Sequence, residues 1–183
     1  DITDVKVASY RRGQGRVIKE TKVAADFVAM SGGWNPALHL ACHMTGRPVW
    51  REEIAAFVPK PGMVPGLAVA GAANGAYSTR ACLAEGAAAG EAALEALGYT
   101  TPRTEVPQAE DGAIRIRAYW EVPAPKHRAW LDFANDVTTK DVRLAAQENF
   151  ASVEHMKRYT TLGMAPDQGK TSNMNGLAIA AGA

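Results

Sequence analysis

Along the chain the spacing of apolar and polar residues changes period several times, and each change predicts an element. Val5, Val7 and Ser9 alternate with polar neighbours, and the charged stretch from Arg16 to Lys22 suits a turn or hairpin. Asp26-Phe27-Val28-Ala29-Met30 is a short apolar run stopped by Ser31-Gly32-Gly33. Residues 1–33 are therefore expected as strands. A helix is predicted next, because Asn35 can accept the free N–H groups of a first turn and Pro36 suits the first helical position. Its run ends after Met44, at Gly46. Residues 47–60, with Trp50, Phe57 and Val58, read as extended and are closed by Pro59, Pro61 and Gly62.

Gly66-Leu67-Ala68-Val69-Ala70 has the pattern of a buried strand, and Gly71-Ala72-Ala73-Asn74-Gly75 is a turn of small side chains. An Ala-rich helix is predicted from Tyr77 to Leu97, ended by Gly98. Strand, glycine turn and helix make one βα unit. A glycine at the carboxyl end of a strand lets phosphates approach the backbone, and a helix N-terminus offers unpaired N–H groups. The same small residues also suit plain packing of helix on strand. The turn does not spell the full Gly-x-Gly-x-x-Gly fingerprint, so both readings stand.

From Tyr99 to Lys126 the chain carries Pro102, Pro107, Pro123 and Pro125 and shows no helical period. One short strand is predicted around Arg115, Arg117, Tyr119 and Trp120. A helical module follows. Thr138 and Asp141 form a capping pattern for a helix running to Phe150, and Ser152 opens a second helix that stops near Gly163. The loop Ala165 to Asn173 is rich in donors and acceptors, and the tail from Met174 is predicted helical.

Composition narrows the classes. In 183 residues, 20 Lys+Arg face 19 Asp+Glu, which argues against a nucleic-acid binder held by a large basic face. A hydrophobic fraction of 47% suits a packed core. No run approaches the roughly 18 to 20 apolar residues of a membrane span, and Asp-Ile-Thr-Asp does not open a signal peptide. Cys42 and Cys82 are too few for a disulfide framework or a four-thiolate metal site, which suits a reducing compartment and leads us to expect a cytoplasmic protein. The 35 Ala and 17 Gly beside 7% aromatics point to backbone packed on backbone. The start without Met and the end on Ala-Ile-Ala-Ala-Gly-Ala lead us to expect a fragment of a longer chain.

Two constellations invite catalytic or metal readings. His39, Cys42 and His43 share a predicted helix, but no third and fourth ligand of suitable type lies nearby, and Leu38, Leu40 and Ala41 surround them as in an ordinary packing helix. His155 beside Glu154 reads more simply as a solvated histidine next to a helix-start carboxylate. No spacing suggests a Ser–His–Asp or Cys–His arrangement, and we expect no catalytic and no metal-ligating residue here.

Leu131-Asp132-Phe133-Ala134-Asn135-Asp136-Val137-Thr138, the stretch Ser152 to Ala165 with its Lys157-Arg158-Tyr159-Thr160-Thr161 run, and Asp167-Gln168-Gly169-Lys170-Thr171-Ser172-Asn173 resemble the alpha subunit of heterotetrameric sarcosine oxidases. Ser31 to Pro36 and Ala70 to Gly75 are similar to the dinucleotide domain of that subunit, so the resemblance covers nearly the whole chain. It implies an α/β fold: a partial Rossmann-like dinucleotide-binding domain followed by a small, mostly helical module. The implied organisation is 1–100 for the C-terminal part of an NAD-binding domain, 101–126 for a linker, and 127–183 for a module at the FMN and beta-subunit interface. A Gly-rich βαβ unit would precede residue 1, and a folate-binding domain would follow residue 183.

By implication, sarcosine is oxidised at an FAD on the beta subunit, and electrons pass to an FMN at the alpha–beta interface and then to oxygen. Hydrogen peroxide forms, and the carbon is passed to tetrahydrofolate. The alpha subunit carries NAD, and its partners are the beta, gamma and delta subunits. The positions that match the NAD corner are Gly71, Ala72, Ala73, Asn74, Tyr77 and Thr79; those that match the FMN side are Lys157, Arg158, Thr160, Thr161 and Lys170. The chemistry is reasonable, because a flavin needs donors for its phosphate and ring carbonyls and positive charge near its reduced form. Lys157 and Arg158 would equally complement a helix C-terminus, and 167–173 would equally serve as a rigid loop.

The sequence departs from relatives in two places. Related amine and opine oxidases carry a cysteine-rich iron–sulfur module near residues 130–145; Trp130 to Asp136 contains no Cys, so no such cluster is expected. The family's Phe-Gln-Asn-Asp is Phe133-Ala134-Asn135-Asp136, and its Met-Ala-Thr-Asp is Met164-Ala165-Pro166-Asp167, where Pro166 removes a backbone donor. The alternatives are a subunit of a related flavin-dependent amine or opine oxidase and a non-catalytic scaffold segment. The substrate would be bound on another subunit, so the isolated segment is expected to be inactive.

Overall fold

In the computed structural model, residues 2–11, 16–29, 32–100, 105–112, 114, 116–122 and 128–183 are described. Contacts divide the chain into one unit of Asp1–Ala29 with Tyr119–Ala183 and another of Met30–Ala118.

The alternation of residues 5–9 builds β1 (Asp4–Arg11), which pairs antiparallel with β2 (Arg16–Ala24) and has an irregularity between Ser9 and Tyr10. Arg16 to Lys22 thus lies in the second strand of this antiparallel pair, as the hairpin and strand expectations have it. Lys6 stands directly opposite Lys22, an unfavourable like-charge pair. It is offset on the diagonals, where Lys22 meets Asp4 at 2.6 Å and Lys6 meets Glu20 at 3.9 Å. The strand expected at 26–30 does not form in its described part: Phe27 is 77% exposed and unpaired in any ladder, and Met30 and Ser31 lie outside the described residues.

In the unit Met30–Ala118, α1 (His39–His43) is only five residues long and starts from Leu38 without a side-chain cap. Asn35 and Pro36 precede it and cap nothing, so the expected helix from Pro36 is shorter than its sequence pattern suggests. Its end is fixed by packing: Gly46 N–H donates to Ala41 O, and a Cβ on Gly46 would fall 2.1 Å from Met63 Cε. β3 (Val49–Arg51) and β4 (Ala56–Val58) form a hairpin in which Trp50 faces Phe57, with ring centroids 5.2 Å apart in an edge-on pair. Residues 66–70 are expected as a strand, yet they join no ladder among the described residues. Gly71–Asn74 forms a 3-10 turn closed by Gly75 at φ 81, where a Cβ would strike Ile54 Cδ1 at 2.6 Å. α2 (Thr79–Ala96) follows. Ser78 Oγ accepts from Ala81 N–H at its start, and Gly98 in the left-handed region with Tyr99 N–H donating to Leu94 O closes its end.

The helical module opens on a hairpin of β5 (Trp130–Asp132) and β6 (Val137–Thr138). α3 (Thr139–Gln147) starts on the predicted capping pair: Thr138 N–H and Oγ donate to the Asp141 carboxylate at 2.8 and 2.7 Å. α4 (Val153–Thr160) stops at Thr161 in the left-handed region, and α5 (Asn173–Ala181) ends the chain. Leu131, Val137, Val142, Ala145, Met156, Leu162 and Ile179 form the core, with Trp120 and Phe150 packed against it. Residues 116–122 form no strand; Arg115 lies outside the described residues. Glu121 ties that segment to α3, because Arg143 donates to both its carboxylate oxygens, at 3.1 and 2.5 Å.

The described strands therefore form three two-stranded antiparallel sheets beside five α-helices, a mixed α/β chain with no parallel ladder among the described residues. No helix among the described residues is long and apolar enough to cross a membrane.

Candidate functional site

Two groups of residues carry the expected binding chemistry, one in each unit. In the first, Gly71, Ala72, Ala73 and Asn74 share the 3-10 turn, with Thr79 at the first position of α2. The turn is already occupied by an anion of the chain itself. Glu85, from the second turn of α2, brings Oε2 to 2.9 Å from Gly71 N and 3.1 Å from Asn74 Nδ2, and both donate to it. On the other side Arg51 Nη1 donates to Asn74 O at 3.0 Å. At the start of α2 the Ala81 N–H is held by Ser78 Oγ. Tyr77 Oη donates to Trp34 O at 3.3 Å, and burial raises its phenol pKa while the Arg51 charge opposes the rise. A phosphate brought to Gly71 N or Asn74 Nδ2 would have to displace the Glu85 carboxylate from those two donors. Cys82 lies beneath, donating its Sγ–H to Ala76 O.

In the second group, Lys157, Arg158, Thr160 and Thr161 lie at the C-terminal end of α4, where cations complement the helix dipole. Arg158 Nη1 donates to Glu154 O at 3.1 Å and lies 3.5 Å from its Oε2, an exposed pair of small energetic weight. Thr160 Oγ1 donates to Met156 O at 2.8 Å, and Thr161 Oγ1 to Thr160 O at 2.6 Å. Both hydroxyl protons are thus turned to the backbone; Thr160 Oγ1 already accepts from Leu162 N at 3.3 Å and keeps one lone pair, and Thr161 Oγ1 keeps its acceptor capacity. Lys157 lines a pocket of about 180 Å³ with Glu154, Asn173 and the apolar Val153, Met156, Leu162 and Leu177. Lys170 is exposed beside Gly169, whose Cα lies 3.1 Å from where a Cβ on Gly163 would sit. The loop before it is pinned by Asp167, which accepts from Thr171 Oγ1 at 2.7 Å and from the N–H groups of Thr171 and Gly169. These bonds, the Thr171 hydroxyl foremost, lower the Asp167 pKa. The two lysines and Arg158 suit an anionic group such as a flavin phosphate or reduced ring; the threonines fit it as acceptors and not as donors.

Three polar residues escaped the sequence reading. Glu85 fills the Gly71 turn from a distance of one helical turn and a half in α2. Asp132 and Asn135 hold the far side of the threonine corner: Asp132, 4% exposed, accepts from the N–H groups of Ala134, Asn135 and Gly163, and Asn135 Nδ2 donates to Thr161 O. The one sequence signal for the latter pair was the Asp-x-x-Asn spacing of an Asx turn. His39, Cys42 and His43 lie on or beside α1, and among the described residues no three His, Cys, Asp or Glu side chains gather as metal ligands do.

Residues 126–183 match the model of the sarcosine oxidase A3 domain, so the helical module is of that class. Over 161 residues the chain is 47% identical to sarcosine oxidase subunit alpha of Rhizobium meliloti (strain 1021), covering 87% of this chain and 16% of that protein. It is 38% identical over 178 residues to the subunit of the same name from Corynebacterium sp. (strain P-1), covering 92% of this chain and 18% of that protein. Against Corynebacterium sp. (strain U-96) it is 39% identical over 165 residues, with 86% of this chain and 17% of that protein covered. The chain belongs to the family of sarcosine oxidase alpha subunits, and it spans between 16% and 18% of the length of these relatives.

Proposed function

We propose that this chain works within the alpha subunit of a complex that oxidatively demethylates sarcosine with oxygen and tetrahydrofolate, giving glycine, hydrogen peroxide and 5,10-methylenetetrahydrofolate. Its relatives' name, sarcosine oxidase subunit alpha, supports the reaction. The partners in this reading are beta, gamma and delta subunits, with FAD and the sarcosine site on beta and the folate site on another part of alpha. The protein is read as cytoplasmic.

The helical module is read as the FMN-facing part. When bound, FMN accepts electrons and delivers them to oxygen. Lys157, Lys170 and Arg158 supply positive charge for its phosphate and reduced ring, and the Thr160 and Thr161 oxygens accept from a ring N–H. The observation that carries this reading is the collection of Lys157, Arg158, Thr160 and Thr161 at one helix end, backed by the pinned loop that bears Lys170.

The unit around α2 is read as belonging to a Rossmann-like NAD-binding domain. Gly71, Ala72, Ala73, Asn74, Tyr77 and Thr79 are read as its NAD-facing corner, where a phosphate at Gly71 N would displace the Glu85 carboxylate. Midpoint potentials of the flavin in the complete complex test the module's role: Lys157→Ala with Lys170→Ala lowers the potential if these charges face FMN. An unchanged potential and unchanged peroxide production would remove that role.

A further inference from the structure

Asp132 and Asn135 touch none of the groups assigned to a ligand, yet they hold the corner that carries them. Asp132 Oδ1 accepts from Ala134 N at 2.9 Å and Asn135 N at 3.2 Å, which folds 132–135 into an Asx turn. Its Oδ2 accepts from Gly163 N at 3.0 Å. Asn135 Nδ2 donates to Thr161 O at 2.9 Å. One carboxylate and one amide thus grip the backbone on both sides of Leu162, which anchors the corner in the core at 1% exposure.

The grip is needed because the corner is strained. Thr161 sits at φ 62, a region that a β-branched residue avoids, and Gly163 at φ 69. A strained residue persists only where its surroundings over-determine it. From the opposite side the Asn173 amide is wedged between two glycines: a Cβ on Gly163 or on Gly169 would lie 2.2 Å from its side-chain atoms. The chain direction from α4 into the Lys170 loop is therefore set from both faces.

We propose that Asp132 and Asn135 are positioning residues for the Thr160–Gly163 corner. They fix the left-handed Thr161 so that Lys157, Thr160 and Thr161 present one arrangement to FMN. The proposal rests on the flavin-facing reading of the module given above.

The test uses the complete complex, with full-length alpha subunit and its partners, and reads the visible circular dichroism of bound FMN, peroxide turnover and the thermal midpoint. Asn135 is exposed, so its variants should fold. Asn135→Ala removes the donor to Thr161 O, and Asn135→Asp keeps the size but also cannot donate. Both should shift the flavin dichroism in the same way and lower turnover about tenfold, the scale of one lost hydrogen bond at a positioned group. Asp132→Asn should do the same; if it does not assemble, the two Asn135 variants carry the test. Wild-type dichroism and turnover in Asn135→Asp, or a lower thermal midpoint alone in both variants, would overturn the proposal. Lys157→Ala separates the two readings. A spectral and turnover effect there with silent Asn135 variants overturns the positioning role only, whereas silence in Lys157→Ala overturns the flavin-facing reading and the proposal with it.

Discussion

The carboxylate of Glu85 accepts the backbone N–H of Gly71 at 2.9 Å, so the glycine turn that most resembles a phosphate seat is filled by the chain's own anion. Two donors converge on one oxygen of a partly buried side chain, and hydrogen bonds to charged groups are worth about 1.5–3 kcal/mol each. Glu85→Ala should therefore destabilise the alpha subunit by about 2–3 kcal/mol in denaturant unfolding. Glu85→Gln, whose amide oxygen can still accept both bonds, should cost less than half of that. Equal losses in the two variants would show that the carboxylate does not hold the turn.

Gly176 on α5 makes room for Leu162. A Cβ there would lie 2.3 Å from Leu162 Cδ2. Gly176→Ala should gain about 1 kcal/mol of helix propensity and lose more than that to overpacking, for a net destabilisation of about 1–2 kcal/mol. Leu162→Ala alone should cost about 2–5 kcal/mol through its cavity. The double variant should lose clearly less than the sum, because the new methyl enters the space left by leucine. Strict additivity in a double-mutant cycle would contradict this packing.

Asp167 makes the Lys170 loop sensitive to acid. Its pKa is lowered by the Thr171 hydroxyl first and then by the N–H groups of Thr171 and Gly169. A carboxyl depressed in the folded state contributes stability that is present above its ordinary value and is lost as pH falls through the folded value. The protection of the 167–171 amides, relative to their intrinsic exchange at each pH, should hold at neutral pH and fall as pH drops below the ordinary aspartate range. Asp167→Asn should remove the acid dependence. Protection that is the same across that window in the wild-type protein would show that these bonds do not order the loop.

How far the sequence could be read depended on the distance over which each feature is held together. The capping pair Thr138 and Asp141 lies within one turn, and it was legible and is formed. α2 was legible because its period and Gly98 are local; its start shifts only from Tyr77 to Thr79. Asn35 and Pro36 misled, because a helix of five residues is held by Gly46 against Met63 and not by caps. The β5–β6 hairpin was missed because no Asn-Gly or Asp-Gly marks it; Asp136 takes the left-handed position instead, at φ 55. In the candidate site, the cations of α4 were legible by type and spacing. Glu85, Asp132 and Asn135 were not, since they reach Gly71, Gly163 and Thr161, which lie 14, 31 and 26 positions away.

We propose that this chain serves a flavin-carrying sarcosine oxidase, and peroxide released from sarcosine by the flavin-loaded assembly reads that role out. The full-length alpha subunit, purified with its partner subunits, is assayed for FMN content and for hydrogen peroxide released on addition of sarcosine. The expected result is FMN in the assembly and peroxide formed in proportion to the sarcosine consumed. An assembly that contains no FMN, or that releases no peroxide from sarcosine, would contradict it.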